Sequence, residues 1–130
     1  MQSLGPRRTF AAMTDPSSPR LRLRVLFGSD AMLGPGKADL LEAIRETGSI
    51  SAAGRAMGMS YKRAWSLVEE MNAAFRAPLV DSTRGGAKGG GAQLSALGAQ
   101  VLAAYRGLED DAARAGAPRI AELQGLLRKG

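Results

Sequence analysis

Residues 49–66 carry hydroxyl and cationic side chains at spacings that place several of them on the outer side of a helix. Hydroxyl groups can form hydrogen bonds with bases or phosphates, and lysine and arginine can contact guanine edges or neutralise phosphate charge. This combination is typical of a surface that contacts nucleic acid. The candidate contact residues are Ser49, Ser51, Ser60, Tyr61, Lys62, Arg63 and Ser66.

These side chains are predicted to lie on two helices joined by a tight turn. Either Ser49 or Ser51 can cap a short first helix, which ends at the glycine of "MGMS", a residue able to take a positive φ. Ser60 can cap a second helix that runs to about Arg76. Small and apolar residues are available for the inward sides of both helices: Ala53, Gly54, Met57, Met59, Ala64, Leu67, Val68 and Met71. This pattern predicts a helix-turn-helix.

Tyr61 and Trp65 are four residues apart and therefore lie side by side on the second helix. We expect Trp65 to anchor that helix in the core rather than to contact a base, because large aromatic side chains are usually buried. For Tyr61, a surface role and a contact with a phosphate or a thymine methyl group are both open.

A glycine-rich hairpin is predicted after Pro78, in "LVDSTRGGAKGGGAQLS". Leu79 and Val80 begin one arm, and Leu94 ends the other. A hairpin beside a helix-turn-helix is a wing, and Arg84 and Lys88 would bring positive charge to the DNA backbone or the minor groove. The alternative is a flexible surface loop.

The composition limits the kinds of function that this chain can have. It has 130 residues, a formal net charge of +6 and neither cysteine nor histidine. The positive charge favours an anionic partner. Disulfides, the usual structural zinc sites, thiol catalysis and imidazole acid-base chemistry are excluded. We expect no cofactor and no metal ion.

We also expect no enzymatic activity, because the adjacent carboxylates Glu69–Glu70 and Asp110–Asp111 point in different directions on a helix and make a poor catalytic pair. No apolar run reaches the roughly 18 residues that a membrane span requires. The absence of cysteine fits the reducing cytosol, so the sequence predicts a cytoplasmic protein with double-stranded DNA as its partner and no membrane association.

Three segments are expected along the chain. Residues 1–20 are predicted to be a disordered tail, with Met1 and Met13 as alternative starts. Residues 21–115 are predicted to form the DNA-binding domain, beginning with a strand over 21–27 and a helix that Gly48 ends. Residues 116–130 are predicted to form a separate terminal helix, with Pro118 near its start.

An amphipathic helix is predicted in "SALGAQVLAAYRGLEDDAARAG", and its apolar stripe exceeds what one small domain can readily bury. Packing within the chain and pairing with a second subunit are alternatives, of which we favour pairing. The residues expected at the dimer interface are Leu97, Val101, Leu102, Tyr105 and Leu108.

"TGSISAAGRAMGMSYKRAWSLVEEMN", followed by "RGGAKGGGAQLSALGAQVLAAY", resembles the amino-terminal winged helix-turn-helix domain of the ModE family of molybdate-responsive transcriptional regulators, and more broadly LysR-type DNA-binding domains. The resemblance covers roughly residues 20–115. It implies that Ser60, Tyr61 and Lys62 start the recognition helix and that residues 84–91 form the wing. It also implies a homodimer on a palindromic operator.

In the ModE family, oxyanion sensing belongs to carboxy-terminal molbindin-like domains. Residues after 115 show no comparable strand-rich pattern, so we do not expect this chain to sense molybdate directly. A separate molybdate-sensing protein, a longer paralogue in mixed dimers and no sensing at all are open alternatives.

The predicted fold is mainly α with a small β-hairpin, a winged helix-turn-helix with carboxy-terminal dimerisation helices. The predicted function is a sequence-specific DNA-binding transcriptional regulator of molybdenum transport or metabolism genes. The alternative is a winged-helix module for protein interaction or nonspecific DNA organisation, which would show weak sequence preference and strong salt dependence.

Overall fold

The computed structural model describes residues 18–83 and 91–128. Its elements, in chain order, are β1 (Val25–Phe27), β2 (Ala31–Leu33), α1 (Pro35–Thr47), α2 (Ile50–Ala56), α3 (Tyr61–Ala74), β3 (Val80–Thr83), β4 (Gly91–Leu94) and α4 (Ala96–Gly125). The chain divides into two compact units. One spans residues 22–111; the described part of the other comprises residues 18–21 and 112–128. No helix in the described ranges is long and apolar enough to cross a membrane.

Two antiparallel hairpins flank the helices α1 to α3. In the first, Val25 pairs with Leu33 and Phe27 with Ala31, and Gly28 takes a φ of +71° in the turn. The longer strand expected over residues 21–27 is reduced to three residues, because β2 offers only three pairing positions. In the second hairpin, Val80 pairs with Leu94 and Thr83 with Gly91.

The first helix, α1, supplies much of the core of the 22–111 unit. Pro35 occupies its first turn, where a missing N–H costs nothing. Leu40, Leu41 and Ile44 are fully buried, because positions i, i+1 and i+4 share one side of a helix. Gly48 ends the helix with a φ of 76° and donates its N–H to the Ile44 carbonyl.

The last helix, α4, is continuous from Ala96 to Gly125 and contains Pro118 in its interior. The prediction of a separate helix over 116–130 is therefore wrong. Proline removes one backbone hydrogen bond and costs about 3 kcal/mol in a helix interior, but the alanine-rich sequence around it favours the helix strongly.

Leu102 and Tyr105 of α4 belong to the core of a single chain, since each is only 2% exposed. They are thus not available to a partner, which corrects their assignment to a dimer interface. Leu97 and Val101 are half-buried against the same core, whereas Leu108 is 42% exposed. The apolar stripe of α4 is therefore divided: its inner residues fill the core and its outer residues remain accessible.

A cluster of charged side chains joins α4 to α1. Arg106 forms ion pairs with Asp39 at 2.8 Å, Glu42 at 2.6 Å and Glu109 at 3.0 Å. Burial alone would lower the pKa of Arg106, but the hydrogen bonds with the three carboxylates raise it above its usual value. The guanidinium thus stays charged and holds the two helices together.

Tyr105 makes the neighbouring contact, in which its hydroxyl donates to the Leu23 carbonyl at 2.7 Å. Burial, followed by the negative charge of Glu109, raises the pKa of Tyr105 to about 12. The phenol therefore remains a neutral donor over a wide range of pH and ties the segment before β1 to α4.

Candidate nucleic-acid interface

The turn between α2 and α3 has the local geometry that the sequence predicts. Ser49 caps α2, its hydroxyl accepting from the Ala52 N–H at 3.0 Å. Of the two candidate caps, Ser49 is thus the one used, and Ser51 instead accepts from Arg55 Nη1 at 2.9 Å. Gly58 has a φ of 72° in the turn, a backbone conformation that side chains disfavour.

The two helices approach closely at a pair of small residues. Gly54 and Ala64 are both buried, and a Cβ added at Gly54 would lie 3.0 Å from the Cβ of Ala64. Any larger side chain at either position would push the helices apart. The small residues therefore set how far α3 is held from α2 and present the outer side of α3 to solvent.

The outer side of α3 carries free cations at its amino-terminal end. Ser60 caps the helix, with its hydroxyl accepting from the Arg63 N–H at 3.0 Å. Lys62 and Arg63 are exposed, and neither side chain has a hydrogen-bond or ion-pair partner among residues 18–83 and 91–128. Ser66, also predicted to contact DNA, is half-buried and so is less accessible than the two cations.

Tyr61 and Trp65 form an edge-to-face aromatic pair, with ring centroids 6.2 Å apart and planes at 72°. Trp65 is half-buried and packs against the core, as predicted. Tyr61 is 59% exposed. The pair thus gives α3 one aromatic side chain that fixes the helix and one that faces solvent beside Lys62.

The base of the wing is fastened to α3 by Asn72. Its side-chain oxygen accepts from the N–H groups of Leu79 at 2.8 Å and Val80 at 3.1 Å, and its amide donates to the Val80 carbonyl at 3.3 Å. On the other arm, the Ala92 N–H donates to the Gly48 carbonyl at 2.8 Å. The hairpin base is therefore positioned by both α1 and α3.

The wing residues predicted to carry charge, Arg84 and Lys88, lie outside the described residues, as does the rest of the tip between Thr83 and Gly91. Their assignment as DNA contacts stays a prediction. The antiparallel pairing of β3 with β4 confirms the hairpin itself.

Sequence reasoning missed the junction that joins the wing to α4. Ser95 donates to the Pro78 carbonyl at 2.7 Å and accepts from the Gly98 N–H at 2.9 Å. A Cβ at Gly98 would overlap the carbonyl oxygen of Leu79. A serine before a helix is a common N-cap, but the need for glycine at position 98 arises only from the approach of Leu79, which lies just before β3.

A cleft of about 370 Å³ separates α2 and α3 from the base of the wing. Its lining includes Ser49 and Ser51 at the start of α2, the Tyr61–Trp65 pair of α3, and Ser82 and Thr83 of β3. The cleft thus brings two of the predicted contact serines together with two wing hydroxyls that the sequence did not single out.

Comparison with known proteins relates this arrangement to a known type of helix-turn-helix protein. Residues 37–99 match the model for bacterial regulatory helix-turn-helix proteins of the lysR family. The chain is 46% identical over 90 residues to the molybdenum-pterin-binding protein MopB of Rhodobacter capsulatus, covering 69% of this chain and 33% of MopB. It is 39% identical over 71 residues to the DNA-binding transcriptional dual regulator ModE of Escherichia coli (strain K12), covering 55% of this chain and 27% of that protein.

The fold also matches a solved structure, the crystal structure of the CbnR_DBD-DNA complex, with a TM-score of 0.53 and 20% sequence identity. That match covers 68% of this chain and 95% of the other. The sequence matches extend over only a third or less of MopB and ModE. Residues 37–99 of this chain thus match the lysR-type bacterial regulatory helix-turn-helix, and the chain is similar in sequence to MopB and ModE.

Proposed function

We propose that this protein is a sequence-specific DNA-binding transcriptional regulator that controls molybdenum transport or metabolism genes and binds a palindromic operator as a dimer. The observation that carries the proposal is the outer side of α3, where Lys62 and Arg63 are exposed and unpaired among the described residues. A cation with no internal partner is available to a phosphate or to a guanine edge.

The dimensions of α3 support insertion into the major groove. Its 14 residues make a helix of about 21 Å, and the groove of B-DNA, about 12 Å wide, admits one helix. Recognition helices contact base edges through their amino-terminal residues. In α3 that end carries Ser60, Tyr61, Lys62 and Arg63, so the residues able to read bases occupy the end that enters the groove.

The dimer is supported by the outer residues of α4. Leu108 is exposed, and Leu97 and Val101 are only half-buried, so an apolar surface is left for a partner. A two-fold dimer would present two copies of α3 to half-sites about one helical turn apart. This spacing is the reason that we expect a palindromic operator.

The link to molybdenum rests on the relatives, whose names refer to molybdenum transport and molybdenum-pterin binding. One arrangement for a response to molybdate is a separate sensing protein that acts on this chain, and molybdate is therefore included in the test.

The test is binding of the purified protein to three DNA fragments at fixed salt: its own promoter region, a molybdate-transport promoter and scrambled DNA. Each titration is run with and without molybdate. Tight binding to a promoter and weak binding to scrambled DNA is the expected result. Equal binding to all three would refute sequence specificity and favour nonspecific DNA organisation, a role that the net charge of +6 would also serve.

A further inference from the structure

Three hydroxyl groups in the cleft between α2, α3 and the wing base already accept a hydrogen bond from within the chain. Ser49 accepts from the Ala52 N–H, Ser51 from Arg55 Nη1 at 2.9 Å, and Thr83 from the Gly91 N–H at 3.2 Å. A hydroxyl that already accepts keeps its single proton for donation. These three side chains therefore offer donors to whatever enters the cleft.

Ser82 and Tyr61 add two more hydroxyls to the same lining. Neither has a hydrogen-bond partner within the described residues. The indole Nε1 of Trp65 is also buried without an acceptor in that part of the chain. Because that nitrogen is shielded from solvent, the donors open to a ligand in the cleft are the hydroxyl groups.

The rest of the lining is uncharged and partly apolar. Ile50, Ala92 and the Tyr61–Trp65 rings contribute carbon surface, and the described lining contains no carboxylate and no cation. The nearest cation recorded at the lining is the Arg55 guanidinium, which donates to Ser51 at 2.9 Å, so a free multivalent anion would be neutralised only in part. A group with several acceptor oxygens, one delocalised charge and an attached apolar ring suits it better.

We propose that this cleft holds one deoxyribose-phosphate unit of the DNA backbone, with the hydroxyls of Ser82 and Thr83 donating to the phosphodiester and the Tyr61–Trp65 pair packing against the sugar. The proposal rests on the proposed DNA-binding function and adds an uncharged backbone contact to it. Such a contact fixes how far α3 enters the groove and carries no sequence information.

An uncharged contact differs measurably from an ion pair. A lysine or arginine on a phosphate releases counterions, so its loss lowers the salt dependence of binding, whereas loss of a hydroxyl donor does not. Ser82→Ala is therefore expected to weaken binding to every duplex by about three- to tenfold, with the slope of log affinity against log salt unchanged. Ser29→Ala, a serine in the β1–β2 turn and not part of the cleft lining, is the matched control and is expected to bind like the wild type.

Trp65 provides a second readout, because it is the only tryptophan in the chain. Fluorescence anisotropy of a labelled duplex reports whether DNA is bound, and tryptophan emission reports whether the cleft is occupied. Wild-type emission is expected to change in step with the anisotropy. In Ser82→Ala the same change is expected at a higher DNA concentration, with the thermal unfolding curve unaltered.

The results that would contradict the cleft contact can be distinguished from those that would contradict DNA binding itself. Full binding by anisotropy with unchanged emission, or unaltered affinity in Ser82→Ala, would overturn the cleft contact while leaving DNA binding intact. An emission change produced by inorganic phosphate alone at matched ionic strength would overturn it in favour of a free-oxyanion site. Failure to bind any duplex would refute the proposed function and this contact with it.

Discussion

Replacement of Gly98 by alanine is expected to break the junction between the wing and α4. In an ordinary helix interior this change would stabilise the protein by about 0.5–1 kcal/mol, because alanine is the better helix former. At position 98 the added Cβ overlaps the Leu79 carbonyl oxygen. The obstacle is backbone, so it cannot move aside as a side chain would.

The expected loss of stability in Gly98→Ala depends on the groups that the added Cβ would displace. Leu79 is fully buried, and its carbonyl accepts from the Ser95 N–H at 2.8 Å. To relieve the overlap, α4 would have to move away from Leu79, and the hydrogen bond between Ser95 and Leu79 would weaken. Overpacking of this kind typically costs about 1–3 kcal/mol, and a lost hydrogen bond about 1 kcal/mol more. We expect Gly98→Ala to lower the free energy of unfolding by about 2–4 kcal/mol.

Gly107→Ala is the matched control, since Gly107 lies in the same helix and a Cβ there would meet nothing within 4 Å. It is expected to raise stability by up to about 1 kcal/mol. The assay is urea unfolding of both variants followed by circular dichroism. If Gly98→Ala unfolded at the same urea concentration as Gly107→Ala, the claim that the Leu79 backbone excludes a side chain at position 98 would be refuted.

Three further predictions concern the DNA contacts and the core. Lys62→Ala or Arg63→Ala should weaken operator binding by about 1–3 kcal/mol where a base-edge contact is lost, and unchanged binding by both variants in a gel-shift titration would count against α3 as the reading helix. Lys88→Ala should lower affinity for all sequences alike and reduce the salt slope by about one unit; a selective loss at one base pair would contradict a backbone role. Because the Tyr105 pKa is raised from 10.0 to about 12, the unfolded chain releases that proton first, and stability should fall as pH rises from 10 to 12. Tyr105→Phe should be less stable at neutral pH by about 1 kcal/mol, the loss of the hydrogen bond to Leu23, and should fall less steeply in alkaline unfolding experiments.

Local features of the fold were predictable because their causes lie within a few residues of each other. Ser60 caps a helix by accepting from an N–H three residues on, and Gly58 takes the positive φ that its turn needs. Both requirements can be read from a stretch such as "GMSYKR". The helix-turn-helix and the hairpin arms were therefore predictable from the sequence.

The errors arose where the deciding contact comes from far along the chain. The spacing of Leu102 and Tyr105 shows that they share a helix side, but a core and a subunit interface require the same apolar side chains. A proline such as Pro118 usually marks the start of a helix. Here the helix-favouring residues on both sides of it allow α4 to continue past the proline. The three-residue strand β2 is too short to display any period.

The polar residues of the candidate site also fall into those that local sequence predicts and those that depend on distant contacts. The exposure of Lys62 and Arg63 was predictable because the outer side of a helix follows a periodic pattern. The positions of Ser82, Thr83 and Asn72 were not, because they depend on the wing base lying beside α2 and α3. No spacing in the sequence indicates that arrangement.

The attachment of the wing base through Asn72 has a consequence for how this domain could change its target. The residues that hold β3 and α3 in place are separate from those that face outward at positions 62 and 63. Exchange of the outward residues would leave the scaffold's folding energy almost untouched, because those side chains have no internal partners in the described chain. Under the proposed function, new operator preferences could therefore be selected or engineered by exchange of these two side chains on an unchanged framework.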